Sequence, residues 1–525
     1  MRKFIFFYSI FCCLTFECIA QVMFQKMYGG NSGTTAGTCH IQTFDGSYIL
    51  GGYTHAFGAG GSDFYLLKID QNGDINWSKT YGGYSIEDVE SIQQTTDNGF
   101  IIWGGSSSFG PYETLLIKTD QQGNVDWSRS FNGSGYDWGK VVYQTLDGGY
   151  ILFGYTTMNG YDFLLVKVNT VGDIVWKHAY DLGSGNDRIC TLLRTTDGGY
   201  LMTGYTETIP GGGGDFDYCI VKTDSIGTFQ WSKRYGSSEW EFCNAAIETP
   251  DNGFMLCGTI HFIGSTFSKT LLIKTDSQGD TLWTKSYMVP ADMEAYAIDS
   301  TSDSGYIITG DIHNFLTGTR QIYLMKTDSI GDLLWAKTYG VDSSNYTNSV
   351  IQTADGGYSV LGKTIISGSG NERMYFIKTD SIGNSGCFDS ILNVIQSPFL
   401  LSVNLHNVQT FQPIFQSNIA VVDTSSGAIY YTNCSSVGIA DEQHDEQIEI
   451  YPNPGTDIIN LEFNTTKTQV VIQIFDISGI KVLDESLGFP NYNSVNISKL
   501  VTGVYFVKLI IDDKIIYKKF VKVKS

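Results

Sequence analysis

Carboxylates and aromatic rings recur together along this chain. Glu87, Asp137, Asp187 and Glu241 stand at one matching point of a repeated pattern, with Asp88 and Glu294 one place further on. Thr35, Met293 and Asn345 fill that point in the remaining copies, and Tyr136, Trp138, Trp240, Phe242 and Tyr346 interleave with the acids. Acids set among ring faces suit sugars or cations. Two carboxylates at the right separation also hydrolyse glycosides, one as acid and the other as base or nucleophile. The plainer reading is that each acid closes its own loop by accepting backbone N–H bonds. The candidate ligand-binding set is Glu87, Asp137, Trp138, Asp187, Trp240, Glu241 and Glu294.

Other chemistry has less to stand on. His55, His261 and His313 have no Ser or Cys nucleophile motif beside them, so no triad is expected. The stretch "DQNGD" (Asp70 to Asp74) lacks the alternating ligands and closing Glu of a calcium loop. No Cys/His spacing suits zinc. No metal and no cofactor are therefore expected, and the balance leans away from an enzyme. A formal charge of −21 argues against a nucleic-acid partner, since no basic surface can displace phosphate counterions.

The elements that must carry these residues repeat. A turn signature ahead of an aromatic begins at Asp45, Asp97, Asp147, Asp197, Asp251, Asp303 and Asp355, which are 52, 50, 50, 54, 52 and 52 residues apart. A period near 50 belongs to the range of propeller blades. Each copy reads as four antiparallel strands joined by Asp-Gly hairpin turns, as in "VESIQQTTDNG", "GFIIWGG", "TLLIKTD" and "NVDWSRSF". The sequence therefore predicts an all-β fold with a seven-bladed β-propeller over residues 21–387.

Trp77, Trp127, Trp176, Trp231, Trp283 and Trp335 mark the fourth strand of six copies and are expected to pack between blades. The seventh copy has Cys387 where Trp belongs, while "FQKMYGG" (Phe24 to Gly30) matches "WSKTYGG" ahead of the first copy. The N-terminal strand is thus predicted to complete the last blade. Lys68, Lys118, Lys167, Lys222, Lys274, Lys326 and Lys378 each stand two residues before an Asp or Asn, a repeated pairing that reads as interblade or turn structure. The loops after strands two and four vary and share one face, where binding residues collect.

The turn motif resembles the tryptophan-docking motif of quinoprotein propellers over about eight residues per blade. Quinoprotein dehydrogenases also have adjacent cysteines near their cofactor. The adjacent pair here, Cys12 and Cys13, falls in a signal peptide, so no quinone is expected. That signal peptide spans 1–20: basic Arg2 and Lys3, an apolar run from Phe4 to Leu14, and Ala20 before the cut. No later segment is apolar enough to anchor in a membrane. Of the seven cysteines left, Cys219 and Cys257 read as buried strand residues, and Cys387 with Cys434 is the disulfide candidate.

Residues 388–446 show no period and read as a linker. Residues 447–525 alternate apolar and polar, a small β-sandwich. They resemble the type A C-terminal sorting domain of type IX secretion in Tyr451-Pro452-Asn453-Pro454, "FDISG" (Phe475 to Gly479), "TGVYFVKL" (Thr502 to Leu509) and the basic end Lys518-Lys519-Phe520-Val521-Lys522. The resemblance implies Sec export, passage across the outer membrane, and two partners, the secretion machinery and a sortase-like peptidase. The mature protein would be attached to surface lipopolysaccharide or released. The expected product is a secreted, monomeric binding or adhesion module for glycan or protein. The alternative is a carbohydrate-active hydrolase using carboxylates of the variable-loop face.

Overall fold

A computed structural model describes residues 21–435 and 448–523, apart from short stretches chiefly in loops. The signal peptide and Cys387 lie outside the described residues. The described secondary structure is strand and turn only. Contacts divide the chain into two units, 1–438 and 439–525.

The first unit is built from seven five-stranded antiparallel sheets. In the first sheet, Thr35–Gln42, Tyr48–Thr54, Asp63–Ile69 and Ile75–Gly82 pair in sequence order. The second to sixth sheets repeat this from Glu87, Asp137, Arg188, Trp240 and Asp292. The seventh takes three strands from Asn345–Thr379 and its fourth from the N-terminus, where Phe24 pairs with Lys378 and Tyr28 with Met374. The first hairpin turns need a left-handed residue just after the Asp. Gly46 supplies it at φ 80°, whereas Asn98, Asn252 and Ser304 adopt it at 67°, 60° and 65°.

The repeated lysines bind a different acid from the one two residues on. Each Lys reaches the Asp of the first hairpin turn in its own sheet: Lys68–Asp45 at 2.8 Å, Lys222–Asp197 at 2.7 Å and Lys378–Asp355 at 2.8 Å are examples. The acid two residues on caps its own turn, as Asp70 does by accepting from Asn72 and Asp74 N–H at 2.9 and 2.8 Å.

Neighbouring sheets are held at the second turn. Tyr81, Tyr180, Tyr235, Tyr287 and Tyr339, all fully buried, donate to the carbonyls of Gly123, Gly227, Gly279, Gly331 and Gly383 in the following sheet at 2.5–2.7 Å. Trp rings lie against the same glycines: a Cβ on Gly331 would come within 2.4 Å of Trp283. The second sheet has Phe131 in the Tyr position, and Trp127 still lies over Gly172. The seventh sheet holds the first in the same way, with Tyr28 O–H on the Gly73 carbonyl at 2.7 Å and Phe24 against Gly73. Asn348 also donates to the Gly37 carbonyl at 2.8 Å across that boundary.

The expected linker is largely structured. Strands starting at 389, 395, 402, 409, 417, 422 and 429, spaced 6, 7, 7, 8, 5 and 7 residues, each add a fifth strand to one sheet. They visit the sheets in the order sixth, fifth, fourth, third, second, first and seventh. The segment is thus a belt that pairs with every fourth strand. Its last strand, Ile429–Ser435, covers the N-terminal strand, with Cys434 opposite Gln25.

The second unit has a three-stranded sheet, Ile448–Tyr451, Ile458–Phe463 and Ser494–Asn496. It also has a four-stranded one in the order Lys481–Gly488, Gln469–Phe475, Gly503–Ile511 and Lys514–Lys522. Ile459, Ile472, Ile474, Val495, Ile497 and Val507 are fully buried in it.

Tyr287→Phe removes one latch hydroxyl and should cost about 1 kcal/mol of unfolding free energy, a typical net hydrogen bond. Gly331→Ala, at φ +81° and against Trp283, should cost more, about 1–3 kcal/mol. Urea unfolding of both variants checks the order. Equal and negligible losses would mean the turn contact does not hold the sheets.

Candidate functional site

The residues at the matching point lie beneath the surface. Glu87, Asp137, Asp187 and Glu241 are at most 1% exposed, at or beside the start of the first strand of their sheet. Glu87 accepts Gly83 N–H at 3.2 Å and the Ser106 hydroxyl at 3.0 Å. Asp187 accepts Leu182 N–H at 3.1 Å and the Thr206 hydroxyl at 2.6 Å. Glu241 accepts the Ser237 N–H at 3.3 Å and also its hydroxyl. The N–H bonds close the loops that lead in from the preceding sheet, and the Ser106 and Thr206 hydroxyls belong to the acid's own sheet. Burial raises the Glu87 pKa, and the nearby Asp63 charge adds to the effect. Asp162, Asp181 and Asp187 bring carboxylate oxygens within 4.8 Å of one another, the one described group close enough to share a cation.

One place further on, the side chains point to the opposite face. Asp88, Trp138, Arg188, Phe242, Glu294 and Tyr346 occupy this position. With their cross-strand neighbours they form a band linked from sheet to sheet. Glu90 accepts Trp138 Nε1–H at 3.1 Å and pairs with Lys140 at 2.6 Å. Burial, together with the Glu90 and Glu87 charges, pushes Asp88 up to about 6. Tyr155, opposite Trp138, packs on Tyr161 at 5.3 Å, and Arg188 lies over Tyr161 at 4.2 Å. Phe242 packs against Tyr205, Phe216 and His261 at 4.9, 5.4 and 5.3 Å.

His261 stands 3.6 Å from Glu294, which also accepts from the Tyr296 hydroxyl. Arg320 reaches Asp311 at 3.4 Å and Glu294 at 3.9 Å while lying over Tyr346 at 4.9 Å. Lys363 lies over Tyr346 from the other strand and pairs with Glu372 at 2.6 Å. Tyr53 of the first sheet donates to Glu372 at 3.2 Å. The band therefore runs through side chains of all seven sheets.

Of the sequence candidates, Trp138, Trp240 and Glu294 belong to the band, while Glu87, Asp137, Asp187 and Glu241 lie behind it. Tyr136 lies outside the described residues. Arg188, Arg320, Lys363, Tyr155 and Tyr205 were missed; strand alternation, taken one step from the acids, would have found Arg188. His313 packs on Phe315 at 4.3 Å and His55 on Tyr53 at 5.8 Å. Cys39, Cys190, Cys219, Cys243 and Cys257 are free thiols, and burial pushes Cys39 and Cys190 up to about 12.

Comparison with known proteins bears on the second unit. Residues 449–524 match the family described as secretion system C-terminal sorting domain. The C-terminal unit is a sorting domain. The protein is accordingly a type IX secretion client, secreted or held at the cell surface, and its sorting domain meets the secretion machinery. No curated protein matches the chain. One solved structure, titled "Crystal structure of tetra-tandem repeat in extending region of large adhesion protein", is 10% identical and covers 94% of this chain and 100% of its own. Its TM-score of 0.12 carries no argument about fold or function.

Asp311 is 1% exposed, accepts Thr347 N–H at 2.9 Å, and is pushed by burial up to about 8 against the pull of Arg320. A folded value above the unfolded one, about 4, means the fold favours the protonated acid. Its contribution is full below pH about 4 and lost as pH rises through 8. Asp311→Asn should retain the Thr347 bond and flatten that loss. Melting curves of both proteins at pH 5 and 8.5 should diverge at the higher pH, and parallel behaviour would refute the assignment.

Proposed function

We propose that this protein is a monomeric, cofactor-free, seven-bladed β-propeller displayed on or released from the cell surface, which binds glycan or protein through the band. The seven-sheet repeat and the seventh-to-first contact at Gly73 support a closed ring. The band carries the functional reading: partly exposed rings and charges join across every sheet, where a purely structural first strand needs only small or apolar residues. Residues 447–525 serve export and are removed by a sortase-like peptidase.

A second reading, a hydrolase, draws on Asp311 and Glu294. Arg320 touches both, and burial, aided by the Glu294 charge and against the pull of Arg320, pushes Asp311 towards the protonated form a general acid requires. Release of reducing ends from oligosaccharides, lost in Asp311→Asn, separates catalysis from binding.

Two experiments test the first reading. On glycan and surface-protein arrays, the protein should bind a defined class, and Trp138→Ala or Tyr346→Ala should weaken binding at least about tenfold, as loss of an aromatic anchor does. Binding unchanged in both variants would remove the band from the function. For export, a chain ending at residue 445 should fold and stay in the periplasm. Undiminished surface labelling of cells expressing it would remove the sorting role.

A further inference from the structure

Where the fifth sheet meets the sixth, the band opens into a cleft of about 300 Å³ lined by Trp240, His261, Phe262, Phe267, Ser268 and Asp292, among others. Register fixes this row. Trp240 is opposite His261, His261 is opposite Ser268, and Ser268 donates its N–H and hydroxyl to Asp292 Oδ1 of the next sheet at 2.8 and 3.1 Å. Trp240 and Phe267 are 41% and 38% exposed, although Trp240 packs edge-on to Phe216 at 6.0 Å. The ring is thus positioned without being covered. Asp292 Oδ2 has no hydrogen bond among the described residues.

We propose that this cleft takes the ammonium group of a lysine side chain on a polypeptide partner, with the charge between the Trp240 face and Asp292 Oδ2. The inference rests on the reading of the band as a binding surface and names its ligand there. Two observations favour a cation over a neutral sugar. The cleft's carboxylate keeps one oxygen free, and Glu294 sits 3.6 Å behind His261. Lys269 already lies 4.6 Å over the Phe262 ring, which leaves the Trp240 face for the incoming charge. The chain carries a formal −21, which attracts basic partners from a distance.

The test uses the full chain and a lysine-rich dodecapeptide, the same peptide with every lysine acetylated, and a neutral hexasaccharide, each titrated by calorimetry. The lysine peptide should bind, weaken with added salt, and lose at least tenfold in affinity in Trp240→Ala and in Asp292→Asn. Acetylation should abolish binding. Asp126→Asn, which removes one exposed charge elsewhere, should bind normally, and melting temperatures identify any variant that fails to fold. Equal loss in Asp126→Asn would mean diffuse charge attraction and overturn the site. Trp240-dependent binding of the hexasaccharide but not of the peptide would make it a sugar site and also overturn it. Failure of the peptide while Trp138→Ala still disrupts array binding would reject the lysine site and leave the band reading standing.

Discussion

The first unit depends on how each sheet grips a turn of the next. A buried Tyr hydroxyl meets a Gly carbonyl, and a Trp ring lies where any Cβ on that Gly would stand. The Gly is required twice, for its left-handed φ and for the ring's approach. The acceptor is main chain, so the latch is indifferent to the other side chains of the turn. The constraint falls at one end of the sheets and leaves the loops at the other end free to differ. A rigid scaffold with variable loops at one end is the arrangement on which recognition surfaces are commonly built.

The belt answers a second constraint. Each fourth strand would otherwise present unpaired N–H and C=O groups, a template for edge-to-edge association. One strand from 389–435 covers each of them, and the last lies on the N-terminal strand that completes the seventh sheet. The first and last described strands of the unit are therefore held in one sheet. Ladder bonds are made by backbone and ask little of side-chain type, so short Ser-, Thr- and Asn-containing strands such as Ser402–Leu405 and Val422–Ser425 suffice.

That explains what was legible in the sequence. The strand count, the turn phase and the pairing of Phe24 with the last copy all rest on side chains that must be large, small or left-handed at fixed points. Such demands repeat visibly. The belt repeats at about seven residues, but its demands fall on the backbone, so it looked like a linker. For the lysines the turn pairing was legible but not the partner: Lys and the acid two residues on share a strand face, yet a long side chain reaches across to the adjacent hairpin turn more easily than along its own strand. The sorting domain was legible because its motifs are side-chain motifs in a fixed order.

The acids show most clearly where sequence reasoning stops. Spacing showed that Glu87, Asp137, Asp187 and Glu241 are equivalent, but it does not say which face of the strand they occupy. In the structure, the loop-closing residue and the outward-facing band residue are successive positions of one strand rather than rival roles for one residue. Asp137 precedes Trp138, Asp187 precedes Arg188, and Glu241 precedes Phe242, so each buried acid is followed by a band residue. Where hydrogen bonds tie the acid to the loop, as at Asp187 and Glu241, they fix where the strand begins. Strand alternation then fixes the direction in which the next side chain emerges. A shift of one residue would put the carboxylate in solvent and bury the ring or guanidinium, so the fold resists it strongly. Where a carboxylate stands at this point it therefore helps position the band: it holds the side chain that follows to one face of its strand.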